Sequence, residues 1–258
     1  MIRGLYTSVS GLITLQNDEQ TVTNNIANVN NNGYKKNVLT KQSFEDVMVT
    51  NRQNMSGNKH VANKLGNLNL GVKVNDIKAI FTQGSFKTTD STTDFGIDGR
   101  GFFTVQRGNE RLFTRCGEFK VDQQGYLITT NGDKVLGKNN TTGAEEPIYV
   151  GSDKFSLDSN NTLQSTTGGS TYTLLTADFK DYNELKQVGD NYYYKANNPI
   201  YNAKVNVRQS VLETSNVNPT EEMVKLIEIK RQFETNQKFV SMQDETIQKA
   251  ANEIGAVR

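Results

Sequence analysis

The chain has 258 residues, enough for one or two compact units, but only 34% are hydrophobic and none is Trp. Apolar surface is therefore modest for the length, and some apolar faces are expected to need partners. Lys and Arg total 29 against 28 Asp and Glu, a net charge of +1 that leaves no electrostatic footprint for nucleic acid or anionic lipid.

The first predicted element is a helix. Ile2, Leu5, Val9 and Leu12 recur three and four apart, on one helical face, and Leu15, Val22, Ile26 and Val29 extend the stripe less regularly. Asn30, Asn31 and Asn32 stop the helix, and Gly33 suits the left-handed position that follows many helices, giving a helical segment over 1–33. Residues 34–75 form a polar linker or extension. Its core, 43–71, is rich in Asn, Lys and Gly and reads as a long surface excursion or a linker.

Residues 76–212 read as a mainly antiparallel β domain. Phe102, Phe103 and Val105 form a strand, Arg107–Glu110 a turn, and Leu112 and Phe113 the return strand. Phe119 and Val121 lead into a turn at Asp122–Gly125. Tyr126, Leu127 and Ile128 then run to Asn131-Gly132, a strong hairpin dipeptide, before Val135 and Leu136. Further strands are expected at 148–150, 171–175 and 192–194, with a polar loop over 151–170.

Residues 213–258 carry the clearest pattern. Asn218 is a good N-cap, Pro219 suits the first helical position and Glu221 the capping-box position. A heptad follows, with Leu226, Phe233, Val240, Ile247 and Ile254 at a, and Ile229, Asn236, Gln243, Ala250 and Val257 at d. The helix would be roughly 55 Å long at about 1.5 Å per residue. The N-terminal helix, with its own narrow stripe, is the expected partner, and Asn236 and Gln243 would set register at a cost in stability. The expected fold is α+β: terminal helices pairing as a coiled-coil-like axial domain, with a central β domain between them.

Catalytic patterns are weak. Cys116 is the sole cysteine and His60 the sole histidine, so neither a Cys/His zinc cluster nor a two-histidine site is available. His60 sits in a polar stretch without an orienting acid and reads as solvated. Cys116 beside Arg115 could be an activated thiol, but reads better as a half-buried residue at a strand end. Gly96–Gly101 resembles a nucleotide loop, yet a strand follows where a helix is required. Asp94 and Asp98 read as turn residues, Glu221 and Glu222 as acids answering the helix dipole, and the sequons at Asn54 and Asn140 carry little weight. No cofactor or metal is expected. No run reaches the ~20 apolar residues that would insert in a membrane, and residues 1–16 make no convincing secretory signal.

Motifs spread over the chain resemble the flagellar rod and hook family of axial proteins. They are Ser10-Gly11-Leu12 with Asn24-Asn25-Ile26-Ala27-Asn28 and Gly33-Tyr34-Lys35; Gln83-Gly84-Ser85-Phe86 with Ile97–Phe103; Phe113-Thr114-Arg115 with Gly117 and Phe119; and Glu213–Val217 with Glu221–Met223, Arg231, Phe233 and Asn236. The resemblance implies a structural subunit without catalytic activity. Its partners would be copies of itself, other rod and hook proteins, and the flagellar type III export apparatus, through which it leaves uncleaved for the basal body. It implies an assembly interface built from Ile2, Leu5, Val9, Leu12, Asn24, Asn25, Ile26, Asn28, Leu226, Ile229, Phe233, Asn236, Val240, Ile247 and Ile254. Length favours a rod over a hook subunit, and Met1-Ile2-Arg3 with Thr214–Val217 favours the distal rod over the proximal rod. Alternatives from other classes are a secreted cell-wall-acting enzyme and a surface adhesin.

Overall fold

The computed structural model describes residues 2–55, 59–151, 155–158, 160–165, 171–189, 191–194, 199–201 and 205–254, with backbone alone at 2, 51–55, 59–63, 165, 253 and 254. The chain folds into two compact units. One gathers 1–26, 37–78 and 219–258; the other gathers 27–36 and 79–218.

In the first unit, α1 (Ile2–Ala27) ends before the Asn run, which forms turns instead of the expected last helical turn. Strands β1 (Asn37–Ser43) and β4 (Val72–Ala79) pair with each other. Between them β2 (Val47–Met55) and β3 (Lys59–Leu68) form an antiparallel hairpin running from Val47↔Leu68 to Met55↔Lys59. The polar stretch 43–71 is thus largely strand. Val47, Met48, Leu65 and Leu68 are all exposed, so among the described side chains no buried face imposes the alternation that would have marked these strands in sequence. His60 lies on β3, outside the described side chains.

The unit closes with α2 (Pro219–Lys249), which passes into a π-helical turn at Ala250–Ile254. The expected helix is thereby interrupted before Gly255, which lies outside the described residues with Val257.

The second unit is an antiparallel β domain. Its main sheet, of 13 strands among the described residues, is built around the hairpin of Phe102–Arg107 and Glu110–Thr114. Gly108 turns that hairpin with φ 61°, and Gly132 turns the one between Leu127–Thr129 and Lys134–Asn139 with φ 88°. The expected strand at 148–150 falls slightly earlier, at Glu145–Pro147, while Ile148 and Val150 supply core side chains. Part of the expected 151–170 loop is a strand pair, Phe155–Leu157 with Thr162–Ser165; Gly168 and Gly169 lie outside the described residues.

Adjacent apolar residues serve opposite faces of this sheet, as the strand period of two requires. Phe103, Val105 and Leu112 pack with Phe95, Phe119 and Leu127 on one side. Phe102 and Phe113 pack with Phe179 and Tyr193 on the other. Burial on both faces explains why Phe102-Phe103 and Leu112-Phe113 run consecutively rather than alternating with polar residues.

Candidate assembly interface

In the helical unit, Leu15 and Val22 of α1 form a small core with Ile229 of α2, joined by partly buried Ile26, Leu226 and Phe233. The α2 positions read as a and d are the shielded ones: Leu226, Phe233, Asn236, Val240, Gln243, Ile247 and Ala250 are partly buried and Ile229 is buried. On α1, Leu5 and Leu12 are half-buried. Val9 is exposed and departs from the face it was grouped with. Ile2 and Ile254 lie outside the described side chains.

Polar contacts complete the packing. Asn25 Nδ2 donates to Glu222 Oε2 at 3.0 Å and to Asn37 O at 2.8 Å, while Asn25 Oδ1 accepts from Asn37 N at 2.9 Å. Asn25 therefore ties the start of β1 and the first turn of α2 to α1. Glu222 is 1% exposed, so the dipole reading of this acid was incomplete: it is also a packed hydrogen-bond partner. Asp18 is reached by Lys41 at 2.8 Å and Lys225 at 3.5 Å. Further along, Asn236 Nδ2 donates to Ser8 O at 3.1 Å. A Cβ added at Gly11 would come within 2.8 Å of Asn236 Nδ2, and one at Gly4 within 2.7 Å of Gln243 Nε2. Asn24 is exposed and Asn28 half-buried.

The same helices expose a second set of apolar residues. Tyr6 is 69% exposed, Ile13 54% and Met242 56%, with Val9, Met223, Val224, Ile227 and Phe239 similarly open. On α1 these residues recur three and four apart, so they form a stripe distinct from the one facing α2.

The β unit holds a buried ion cluster that sequence reasoning missed. Lys35 Nζ meets Glu213 Oε1 at 2.6 Å and donates to Thr82 O at 2.7 Å. Arg115 approaches Glu213 Oε2 at 3.3 Å, donates to Gly99 O at 2.8 Å, and lies over the Phe102 ring. Gly84 N donates to Glu213 Oε1 at 2.9 Å, and Gly33, with φ 69°, donates its N–H to Glu213 O at 2.7 Å. Lys35, Arg115 and Glu213 are essentially inaccessible to water. Burial pushes the Lys35 ammonium below its ordinary pKa, opposed by Glu213. One carboxylate thus gathers three motifs distant in sequence. Asn216 adds contacts to Ile80 O, Thr82 O and Lys36 N.

Arg115 is engaged by Glu213 and Gly99. Burial pushes the neighbouring Cys116 thiol up rather than down, so no activated thiolate forms there. Cys116 borders a cleft of about 440 Å³ with Asn28, Asn31, Asn32, Glu118 and Asn191, lined mostly by amides and hydroxyls. Asp94 is buried and its backbone bridges Glu118, while Asp98 is exposed at the end of a strand.

Three stretches match known families: 5–35 the flagella basal body rod protein family, 96–153 the flagellar hook protein FlgE/F/G D1 domain, and 208–253 the flagellar basal body rod FlgEFG protein C-terminal family. The chain is 32% identical to the flagellar basal-body rod protein FlgG of Buchnera aphidicola subsp. Schizaphis graminum, over 96% of this chain and 98% of that one. The chain belongs to the flagellar basal-body rod protein family. It is also 30% identical to the flagellar hook-basal body complex protein FlhO of Bacillus subtilis over the full length of both. With FlgG of the same organism it shares 30% identity, over 98% of this chain and 99% of that one. The family is structural rather than enzymatic, and the chain is a structural subunit of the flagellar rod, located in the basal body and assembling with other rod and hook proteins. Among the described residues, no helix is long and apolar enough to cross a membrane.

Proposed function

We propose that the chain polymerises with copies of itself as the distal rod, a helical tube that transmits torque from motor to hook. The observation that carries this reading is that α1 and α2 use one face on each other and leave Tyr6, Ile13, Ile227, Phe239 and Met242 in solvent. A head-to-tail contact that does not close on itself generates a filament, and dense helix packing gives the stiffness that torque requires.

In this reading α1 and α2 pair as a coiled coil. Leu5, Leu12, Ile26, Leu226, Ile229, Phe233, Asn236, Val240 and Ile247 form the seam within each copy, with Ile2 and Ile254 extending it. Val9 joins the outward stripe between copies, Asn25 anchors the seam, and Asn24 and Asn28 serve contacts where the axial helix ends. The kinship to proteins named FlgG supports the distal position. Export proceeds uncleaved through the flagellar type III apparatus.

The test is Phe233→Asp, which would place a charge in the seam at a cost of several kcal/mol if fully desolvated. Polymerisation and motility should be lost while the β unit keeps its melting temperature; unchanged polymers would refute the seam. Deleting the gene and imaging the envelope by electron cryotomography should show basal bodies truncated within the rod. Complete rods lacking only the hook would instead favour a hook subunit.

A further inference from the structure

We infer that Gly4, Gly11, Asp18 and Asn25 on α1, with Gln243, Asn236, Lys225 and Glu222 on α2, form a register key that specifies a single antiparallel alignment of the two helices. Its role in assembly rests on the polymer reading above.

The residues on α1 are spaced by heptads, and so are Gln243, Asn236, Ile229 and Glu222 on α2. The contacts match them in opposite order. Gly4 meets Gln243, Gly11 meets Asn236, and Asn25 bonds Glu222 at 3.0 Å. Asp18 falls at the level of Ile229, and its carboxylate is met from the adjoining turn by Lys225 at 3.5 Å. Gln243 and Asn236 therefore each lie over a glycine, where the missing Cβ leaves room for the amide, and Asn236 uses that room to reach the Ser8 carbonyl.

The apolar residues cannot supply this selectivity. Leu226, Phe233, Val240 and Ile247 repeat every seven residues, so sliding α2 by one heptad again places apolar groups on an apolar stripe. The polar ladder does not survive either slide. One sets Asp18 against Glu222, two carboxylates, and Gly11 against the bulkier Ile229. The other sets Asn25 against Ile229 and breaks its hydrogen bond to Glu222. A slipped pair thus breaks the Asn25–Glu222 and Asn236–Ser8 hydrogen bonds that the observed alignment makes. Alignment in turn decides which residues of Tyr6, Val9 and Ile13 lie beside which of Phe239 and Met242, and so defines the surface offered to the next copy.

Disulfide trapping within one full-length chain, in a Cys116→Ser background, tests this. Gly11→Cys is combined in turn with Asn236→Cys, which is in register, and with Ile229→Cys or Gln243→Cys, each one heptad out. The variants are recovered from cells, from basal bodies or the soluble fraction, and read on non-reducing gels. The in-register disulfide should exceed either slipped one by about tenfold or more, since each slip breaks the buried Asn25–Glu222 hydrogen bond. Adding Asn25→Leu with Glu222→Leu should reduce that preference several-fold. Equal trapping of all pairs, or a preference unmoved by those leucines, would overturn the key. A second readout exchanges the partners. Gly11→Asn and Asn236→Gly should each impair motility, and the double exchange should restore it; a double variant as poor as the worse single one would also overturn it. Recovery in the soluble fraction alone, with register-selective trapping intact, would refute the polymer reading and leave the key standing.

Discussion

The two units bury their apolar residues in different ways. In the β unit, phenylalanines sit on both faces of the sheet at close to zero exposure, with Phe103 and Phe119 edge to face at 5.2 Å. In the helical unit the fully buried apolar side chains are few, and large ones such as Met242 and Ile13 stand in water. The difference teaches where each unit finds its stability. A sheet packed on both faces is complete in one chain, whereas a helix pair with one narrow seam and a second exposed stripe is complete only beside neighbours.

Amide exchange should give the largest contrast. In dilute monomer, α1 and α2 should exchange with protection near zero, while Phe102–Arg107 should approach the global stability of about 5–15 kcal/mol. On polymerisation the helices should become protected. Equal protection of both units in the monomer would erase the distinction.

Core truncation sharpens it. Phe103→Ala should lower the unfolding free energy of the β unit by about 3–5 kcal/mol, and half-buried Leu226→Ala should leave that transition unchanged in a denaturant titration.

Glu213→Gln should follow, destabilising the β unit by about 3 kcal/mol, because Lys35 and Arg115 would remain buried without their carboxylate. Replacing Lys35, Arg115 and Glu213 together with apolar residues should cost less than Glu213→Gln alone. A larger loss would show that the cluster contributes net stability.

The smallest effect is alkaline. Burial first, then the hydrogen bond and charge of Asp133, raise the Tyr192 phenol to about 12. Its contribution is intact below the ordinary tyrosine value of about 10 and is lost as pH rises from there through about 12, because the unfolded chain ionises first. Tyr192→Phe should lessen the fall in melting temperature across that window, to which Tyr193, also raised by burial, contributes as well, while leaving exchange in α1 and α2 untouched.

Much of the fold was legible because its signals are local. The Phe102–Phe113 hairpin, the Asn131-Gly132 turn and the heptads from Leu226 each depend on neighbours within a few residues. The β2–β3 hairpin was not legible, since Val47, Met48, Leu65 and Leu68 stand exposed and no buried face among its described side chains sets a hydrophobic period. Nor was the packing role of Gly4 and Gly11, which shows only when an amide from the other end of the chain lies over them.

The sequence by itself determined the two terminal helices, the central hairpins and the family, because propensity, periodicity and motif order are written along the chain. Tertiary structure decided the partners. Glu213 gathers Lys35, Arg115 and Gly84, and Asn25 meets Glu222, from positions far apart in sequence. A buried polar group must find its complement in space, and no one-dimensional period encodes which distant residue supplies it.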